Sequence, residues 1–298
     1  MSKPPAGTAC PNAGTLKLGR KTDIRDSSNH QTFTPVPANQ IDNNNVGYVV
    51  AQHGSLPATR LWFYTVTRDG TTGLPVFGPA RGLEVAGYDM PPTARQPTFS
   101  QKIDTSDTRP TQAVQAVNPD RSGIQSFWTQ QTVKHPSEPR SIVRWYEVDP
   151  AASPPALLRS GSIGAGGGNS GNFFYNASIS PDRRKDGSTV QFGDSFVIQY
   201  NVSSRVNNLS PRISAGSSVS GGALSFSIIK NAVGPYRDFT CPSPGTVCRW
   251  GDYSAATPDP RPTTTGRGEV WITNQYSGVA HPPTSQANWR TWIAAVKP

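Results

Sequence analysis

The sequence predicts an all-β protein, and three observations predict it. Gly (28) and Pro (29) are each near a tenth of the 298 residues, while charged residues are only 16%; that balance suits short strands joined by many turns. Seven Trp, eleven Phe and nine Tyr recur inside segments that alternate apolar and polar side chains, the period of a half-buried strand. Nowhere does the Ala/Glu/Lys/Leu periodicity of a helical bundle appear. The mean hydropathy of −0.50 overlaps with disordered chains, but the spaced aromatics decide for packed sheets.

In chain order, residues 1–40 are polar, carry Pro and Gly without a period, and read as an extended N-terminal segment. The alternation begins with 46–51 (VGYVVA), turns at His53-Gly54, and continues through 60–66 (RLWFYTV) and 82–88 (GLEVAGY). A Pro-rich connector, 90–97, leads to a second set: 111–117, a turn at 118–123, then 124–132, 141–148 and 156–161. A third comprises 175–181, 195–201, 212–215 and 224–229. A fourth holds 249–254 (RWGDYS), 270–274 and 289–296. The Gly-rich stretch 161–172 reads as a flexible loop between sets.

The sets form a degenerate repeat of roughly 50–65 residues with about four short strands each, the size of a propeller blade. The expected architecture is therefore a β-propeller of four-stranded antiparallel blades, at about 41–110, 111–170, 171–230 and 231–298. Tandem β-sandwiches are the alternative that the same spacing permits.

Cys241 and Cys248 bracket a Pro-Ser-Pro-Gly turn and are expected to form a local disulfide, worth roughly 2–3 kcal/mol on the chain-entropy model. A disulfide implies an oxidising compartment, so the protein reads as secreted or displayed at the cell surface. Cys10 is left over, and a bond from it to a second chain is one reading of the odd thiol. The first residues have no apolar core of a signal peptide, so an export signal would lie upstream.

The run that follows the second cysteine, Arg249-Trp250-Gly251-Asp252-Tyr253-Ser254, resembles the innermost strand of a blade in secreted bacterial β-propeller proteins of the sialidase-like type. DTSDTRPTQAV (104–114), IVRWYEVDP (142–150) and FFYNASISPD (173–182) carry the same resemblance, which covers about residues 40–298. It implies that Arg249, Asp252 and Tyr253 lie near a central channel, where they are the candidate ligand-binding residues. Propellers of this type commonly have six to eight blades, which makes the chain a candidate C-terminal part of a larger propeller. Ser180-Pro181-Asp182 with Gly187-Ser188-Thr189 resembles an Asp-box with three extra residues and Val190 where the motif has Trp; such a box ties down a turn.

Catalysis in that family needs an arginine triad, a Tyr–Glu pair and an Asp acid. The four glutamates, Glu84, Glu138, Glu147 and Glu269, nominate no such pair. Asp104 with Asp107, or Asp252 with Asp259, are the aspartate pairs a two-carboxylate hydrolase would draw on; turn and cap roles suit them better. His30, His53, His135 and His281 are isolated, so no zinc site is expected. No organic cofactor is expected either, since no Gly-x-Gly-x-x-Gly or Walker motif occurs. Structural calcium in a carbonyl-and-aspartate loop stays open.

The net charge of +9 draws in anionic partners, but its arginines are scattered and carry no nucleic-acid motif. No apolar stretch is long enough to span a membrane. The expected function is an extracellular non-catalytic module that binds a glycan or a surface protein. A sialidase-like glycoside hydrolase or lyase is the alternative, and a subunit of a larger surface assembly is a third.

Overall fold

The computed structural model describes residues 21–41, 44–118, 121–186, 189–219, 221–259 and 268–298, with backbone alone over 184–186 and 189–193. Cys10 and the Gly187-Ser188 part of the Asp-box-like stretch lie outside the described residues. Strands make up 54% of the structure, in curled antiparallel sheets without an α-helix among the described residues; the all-β class is therefore established.

The first sheet contains β1 (Phe33–Pro37), β3 (Gly47–Gln52), β4 (Ala58–Arg68), β5 (Pro75–Phe77) and β6 (Arg81–Tyr88), with β4 paired to β3, β5 and β6. The second is the meander β8 (Pro110–Asn118), β9 (Ile124–Lys134), β10 (Ser141–Asp149) and β11 (Ala156–Ile163), extended by β2 (Asn39–Gln40) lying parallel to β8. The third is the meander β12 (Phe173–Asp186), β13 (Thr189–Ser204), β14 (Leu209–Ser218) and β15 (Ser225–Lys230). The fourth is β17 (Ala255–Pro258), β18 (Val270–Ser277) and β19 (Trp289–Val296). A two-stranded parallel pair joins β7 (Lys102–Ile103) to β16 (Val247–Cys248).

Strand alternation explains how the sheets meet. In the second sheet Phe127, Ile142, Tyr146 and Val148 point one way, into a core with Tyr48, Leu61, Phe63 and Leu83 of the first sheet. Trp128, Val143 and Trp145 point the other way, against Phe174, Ile179, Phe196, Ile198 and Tyr200 of the third. Both faces are thus buried, which is why β10 is buried at eight of its nine positions. Val197 and Ala215 continue the stack onto Ala256, Val270 and Ile272 of the fourth sheet. These shared cores join neighbouring sheets, and among the described residues none joins the fourth sheet to the first.

A separate core gathers Cys241, Cys248, Tyr236, Trp250 and Ile103 beside Phe173 and Tyr175 of β12. Within it Cys241 and Cys248 form the expected disulfide, with Cα atoms 4.7 Å apart.

Two features differ from the sequence-based expectations. RWGDYS is not itself a strand: Arg249–Ser254 runs unpaired, and β17 begins at the next residue, Ala255. Trp250 is consumed in packing, edge-on to Tyr236, and its Nε1 donates to Asn201 at 3.0 Å. The stretch 161–172 is also no plain linker. Gly161, Ser162 and Ile163 complete β11, and the backbone beyond is pinned, because Arg140 donates to the Gly164 carbonyl and His135 Nε2 lies 3.2 Å from that of Ala165.

Candidate functional site: a cationic groove beside the disulfide loop

Arg249 and Asp252 face each other at 3.6 Å with side chains 75% and 63% exposed, and Tyr253 is 85% exposed. They stand close enough to Arg109 for Asp252 and Tyr253 to help hold its guanidinium pKa above the ordinary value, after the stronger effect of Asp107 and against partial burial. Arg109 grips Asp107 through Nε at 2.8 Å and Nη2 at 2.5 Å. Arg109, Arg249, Asp252 and Tyr253 therefore form an exposed polar ledge at the start of β8 and β17.

The aspartate pairs do not assemble. Asp104 accepts the Ser106 amide at 2.8 Å and Asp107 that of Arg109 at 2.8 Å, both turn-closing bonds. Asp252 and Asp259 flank opposite ends of β17, where Asp259 accepts Trp271 Nε1 at 3.2 Å. Asp182 of the Asp-box-like stretch accepts the Gly268 amide at 3.2 Å and so ties β12 to a segment 86 residues away.

One carboxylate cluster was not visible in the sequence. Glu147 is fully buried and meets Arg159 Nε at 2.5 Å and Arg121 Nε at 3.5 Å. Asp194 shares both guanidinium groups, at 3.5 Å and 3.2 Å, and also accepts Asn118 Nδ2 at 2.6 Å. Arg159 in turn lies over the Trp128 and Phe196 rings, at 5.1 Å and 5.8 Å. The neighbouring Tyr146 points to the opposite face of β10, accepts Gln131 Nε2 at 3.0 Å, and is pushed up to about 12 by burial. It is no partner for Glu147. This is a compensated ionic knot between the second and third sheets, with its charge neutralised in place.

Two of the four histidines serve turns. His53 Nδ1 accepts the Ser55 amide at 3.2 Å, and His135 Nδ1 accepts the Ser137 and Glu138 amides at 3.2 Å and 3.0 Å. The two serine hydroxyls reach the same nitrogens at 3.2 Å and 3.4 Å, but that nitrogen is already occupied as an acceptor. Among the described residues no three His, Cys, Asp or Glu side chains gather as they would around a metal ion.

A more functional arrangement lies beside the disulfide loop. Ala94 and Ile103 exchange backbone bonds of 2.8 Å and 2.9 Å, closing a loop that carries Arg95, Phe99 and Lys102. Gln96, 1% exposed, fixes this loop by donating to Tyr236 O at 2.6 Å and accepting the Tyr236 amide at 2.6 Å. Lys102 and Asp104 amides then bond Thr246 and Cys248 carbonyls, each at 2.9 Å, so the disulfide braces the same unit. Opposite stands Arg205, at the turn between β13 and β14. That turn is fastened where Ser204 Oγ donates to Gly171 O at 2.7 Å and Asn207 Nδ2 to Asn172 Oδ1 at 2.8 Å.

Arg95, Lys102 and Arg205 line one depression of about 190 Å³ together with Phe99. Arg95 and Arg205 also line an adjoining one of about 250 Å³, with Phe173 and Val206. Arg237 stacks on Phe99 at 4.5 Å and donates through Nε to a carbonyl, Pro282 O, at 2.7 Å. Glu138, at the far rim, is engaged by Arg140 at 3.0 Å and 3.1 Å. Arg95, Lys102, Arg205 and Arg237 have no ion-pair partner among the described residues. The sequence hid this site because its cations are isolated at positions 95, 102, 205 and 237; only the net charge hinted at it.

No family model matches the chain, and no curated protein matches it. Among solved structures, the chain is similar to a protein of a BT0996 RGII complex at 12% identity and a TM-score of 0.38, over 95% of this chain and 73% of that one.

Proposed function

We propose that this chain is an extracellular, non-catalytic binding module, its sheets arranged as propeller blades, that holds an acidic polysaccharide in the groove between Arg95, Lys102 and Arg205. The observation that carries the reading is the grouping of these three cations around Phe99 with no carboxylate paired to them among the described residues. A cation that finds no partner within the fold is available to an external anion. Each such contact at a wet surface is modest, about 1 kcal/mol at 4 Å in high dielectric, so a ligand that repeats its charge suits the groove better than a single ion. The depressions match single rings in size, and Phe99, with Arg237 over its ring, adds apolar surface to the wall. A duplex needs a longer basic track.

The non-catalytic part of the reading rests on Glu147 and Asp194, whose carboxylates are held by Arg121 and Arg159. The extracellular part rests on the Cys241–Cys248 disulfide. Calorimetric titration with β-1,4-polymannuronate and with β-1,4-mannan tests the proposal, since the two polymers differ at the sugar carboxylate. Binding of the uronate alone, with no new reducing ends released, is the expected result. Equal affinity for mannan, tighter binding to duplex DNA, or sustained cleavage of the polymer would overturn it.

A further inference from the structure

A second cationic site lies across the Ser170–Asn172 segment from the groove, and it differs in kind. Arg212 on β14 points beside Tyr200 into a cavity of about 260 Å³ walled by Phe174, Phe226, Asn172 and Ser214. Its Nε is buried without a hydrogen-bond partner, and no carboxylate pairs with its guanidinium among the described residues. Burial pulls its pKa below the ordinary arginine value, with Tyr200 opposing. Other buried arginines spend their donors within the fold: Arg140 on Glu138 and the Gly164 carbonyl, Arg159 on Glu147, and Arg144 on the Ala86 and Gly87 carbonyls. A desolvated guanidinium with an unused donor is costly unless something supplies acceptors.

The walls say what that something is. Phe174 and Tyr200 stand 5.6 Å apart, centroid to centroid, and tilted by 56°, which gives an aromatic corner. Phe226, 59% exposed on β15, forms an outer aromatic lip. Gly164, at φ +88°, brings the loop so close to Phe174 that a Cβ there would sit 2.3 Å from the ring. The space suits one six-membered ring, while Asn172 and Ser214 supply polar contacts at its edge.

We propose that the Arg212 cavity is a carboxylate site that seats the terminal uronate residue of an acidic glycan, with Arg212 on the carboxylate and the Phe174–Tyr200–Phe226 walls around the ring. The occupant's being a chain end rests on the groove reading above, because Asn169 and Asn172 line the cavity while Ser170 and Gly171 line the groove. The carboxylate assignment itself stands on Arg212 and its surroundings.

The test titrates glucuronate, glucose, acetate and a mannuronate trimer into the full chain, followed by ligand-observed NMR. Saturable binding of glucuronate well above glucose and acetate is expected. Loss of a charge-assisted, two-donor contact should weaken it about tenfold or more in Arg212→Gln, and Phe226→Ala should weaken it several-fold. In the Arg95→Gln/Lys102→Gln/Arg205→Gln background, Arg212→Gln should still weaken monomer binding by the same factor. Phe226 is exposed, so its variant decides the matter if Arg212→Gln does not fold.

Glucuronate binding no better than glucose or acetate, or indifferent to both variants, would overturn the site. A trimer that binds no tighter than the monomer would overturn the chain-end occupant. If polymannuronate binds while the monomer does not, the cavity assignment fails and the groove stands. If the monomer binds at Arg212 while the polymer does not, the carboxylate site stands and the groove fails.

Discussion

Glu147 lies fully buried between two guanidinium groups, whereas Arg212 lies half-buried with no carboxylate beside it among the described residues, and the contrast separates charge that holds this fold from charge available to a ligand. Removing Glu147 leaves Asp194 as the single carboxylate for two partly buried guanidinium groups. Glu147→Ala should therefore cost about 3–5 kcal/mol of stability in a urea melt. A loss under 1 kcal/mol would contradict the compensated-knot reading. Asp26 gives a pH-dependent counterpart. Burial opposes its ionisation, but the His30 and Ser28 amides, at 2.9 Å and 2.8 Å, outweigh it and hold its pKa below the ordinary value. Its contribution is then fully present above the unfolded-state value of about 3.9 and fades as pH falls through the lower folded value. Melting temperatures of wild type and Asp26→Asn should converge as pH drops below about 4; a gap that widens on acidification would contradict this. The sequence displays Glu147 as a carboxylate inside an apolar strand, but its arginine partners, Arg121 and Arg159, are 26 and 12 residues distant, so nothing local announces them.

At the scale of elements the long strands were legible because they alternate and are bounded by Gly, Pro or Asn. The predicted 141–148 and 289–296 became Ser141–Asp149 and Trp289–Val296. The short pieces β2, β7 and β16 were not, since two residues carry no period and exist only through their partners. RWGDYS misled for a related reason: Trp250 and Tyr253 carry strand-like composition, but one closes the disulfide core and the other stands in solvent. The disulfide was readable from its spacing alone, although its role in bracing the Arg95–Lys102 loop was not. Reduction should lower stability by about 2–3 kcal/mol and weaken polymer binding with it, as judged by paired melts and titrations with and without reductant. Unchanged affinity in a reduced, folded sample would detach the groove from that brace. Gly268 marks another tie between elements. A Cβ there would fall 1.9 Å from the Arg183 carbonyl oxygen, so Gly268→Ala should cost about 1–3 kcal/mol; calorimetry showing a neutral change would contradict the close approach.

Across the whole molecule, four sheets succeed one another and bury both faces of the middle two, leaving loops at the sheet ends to carry exposed charge. The all-β class followed from composition and period. The groove did not, because it joins the connector after the first sheet, the disulfide loop and the β13–β14 turn, three places the chain visits far apart. The excess of +9 becomes meaningful once part of it is seen to converge. Contacts of this exposed kind are screened, since the Debye length falls from about 10 Å at 0.1 M salt to about 3 Å at 1 M. The most direct measurement is the affinity of β-1,4-polymannuronate for wild type and for the Arg95→Gln/Lys102→Gln/Arg205→Gln variant, titrated side by side at 0.05 M and 0.5 M salt. The account predicts that wild-type affinity falls steeply with salt, and that the variant loses most of both the low-salt affinity and its salt dependence while melting like wild type. A folded variant that binds as well as wild type, with the same salt dependence, would contradict it.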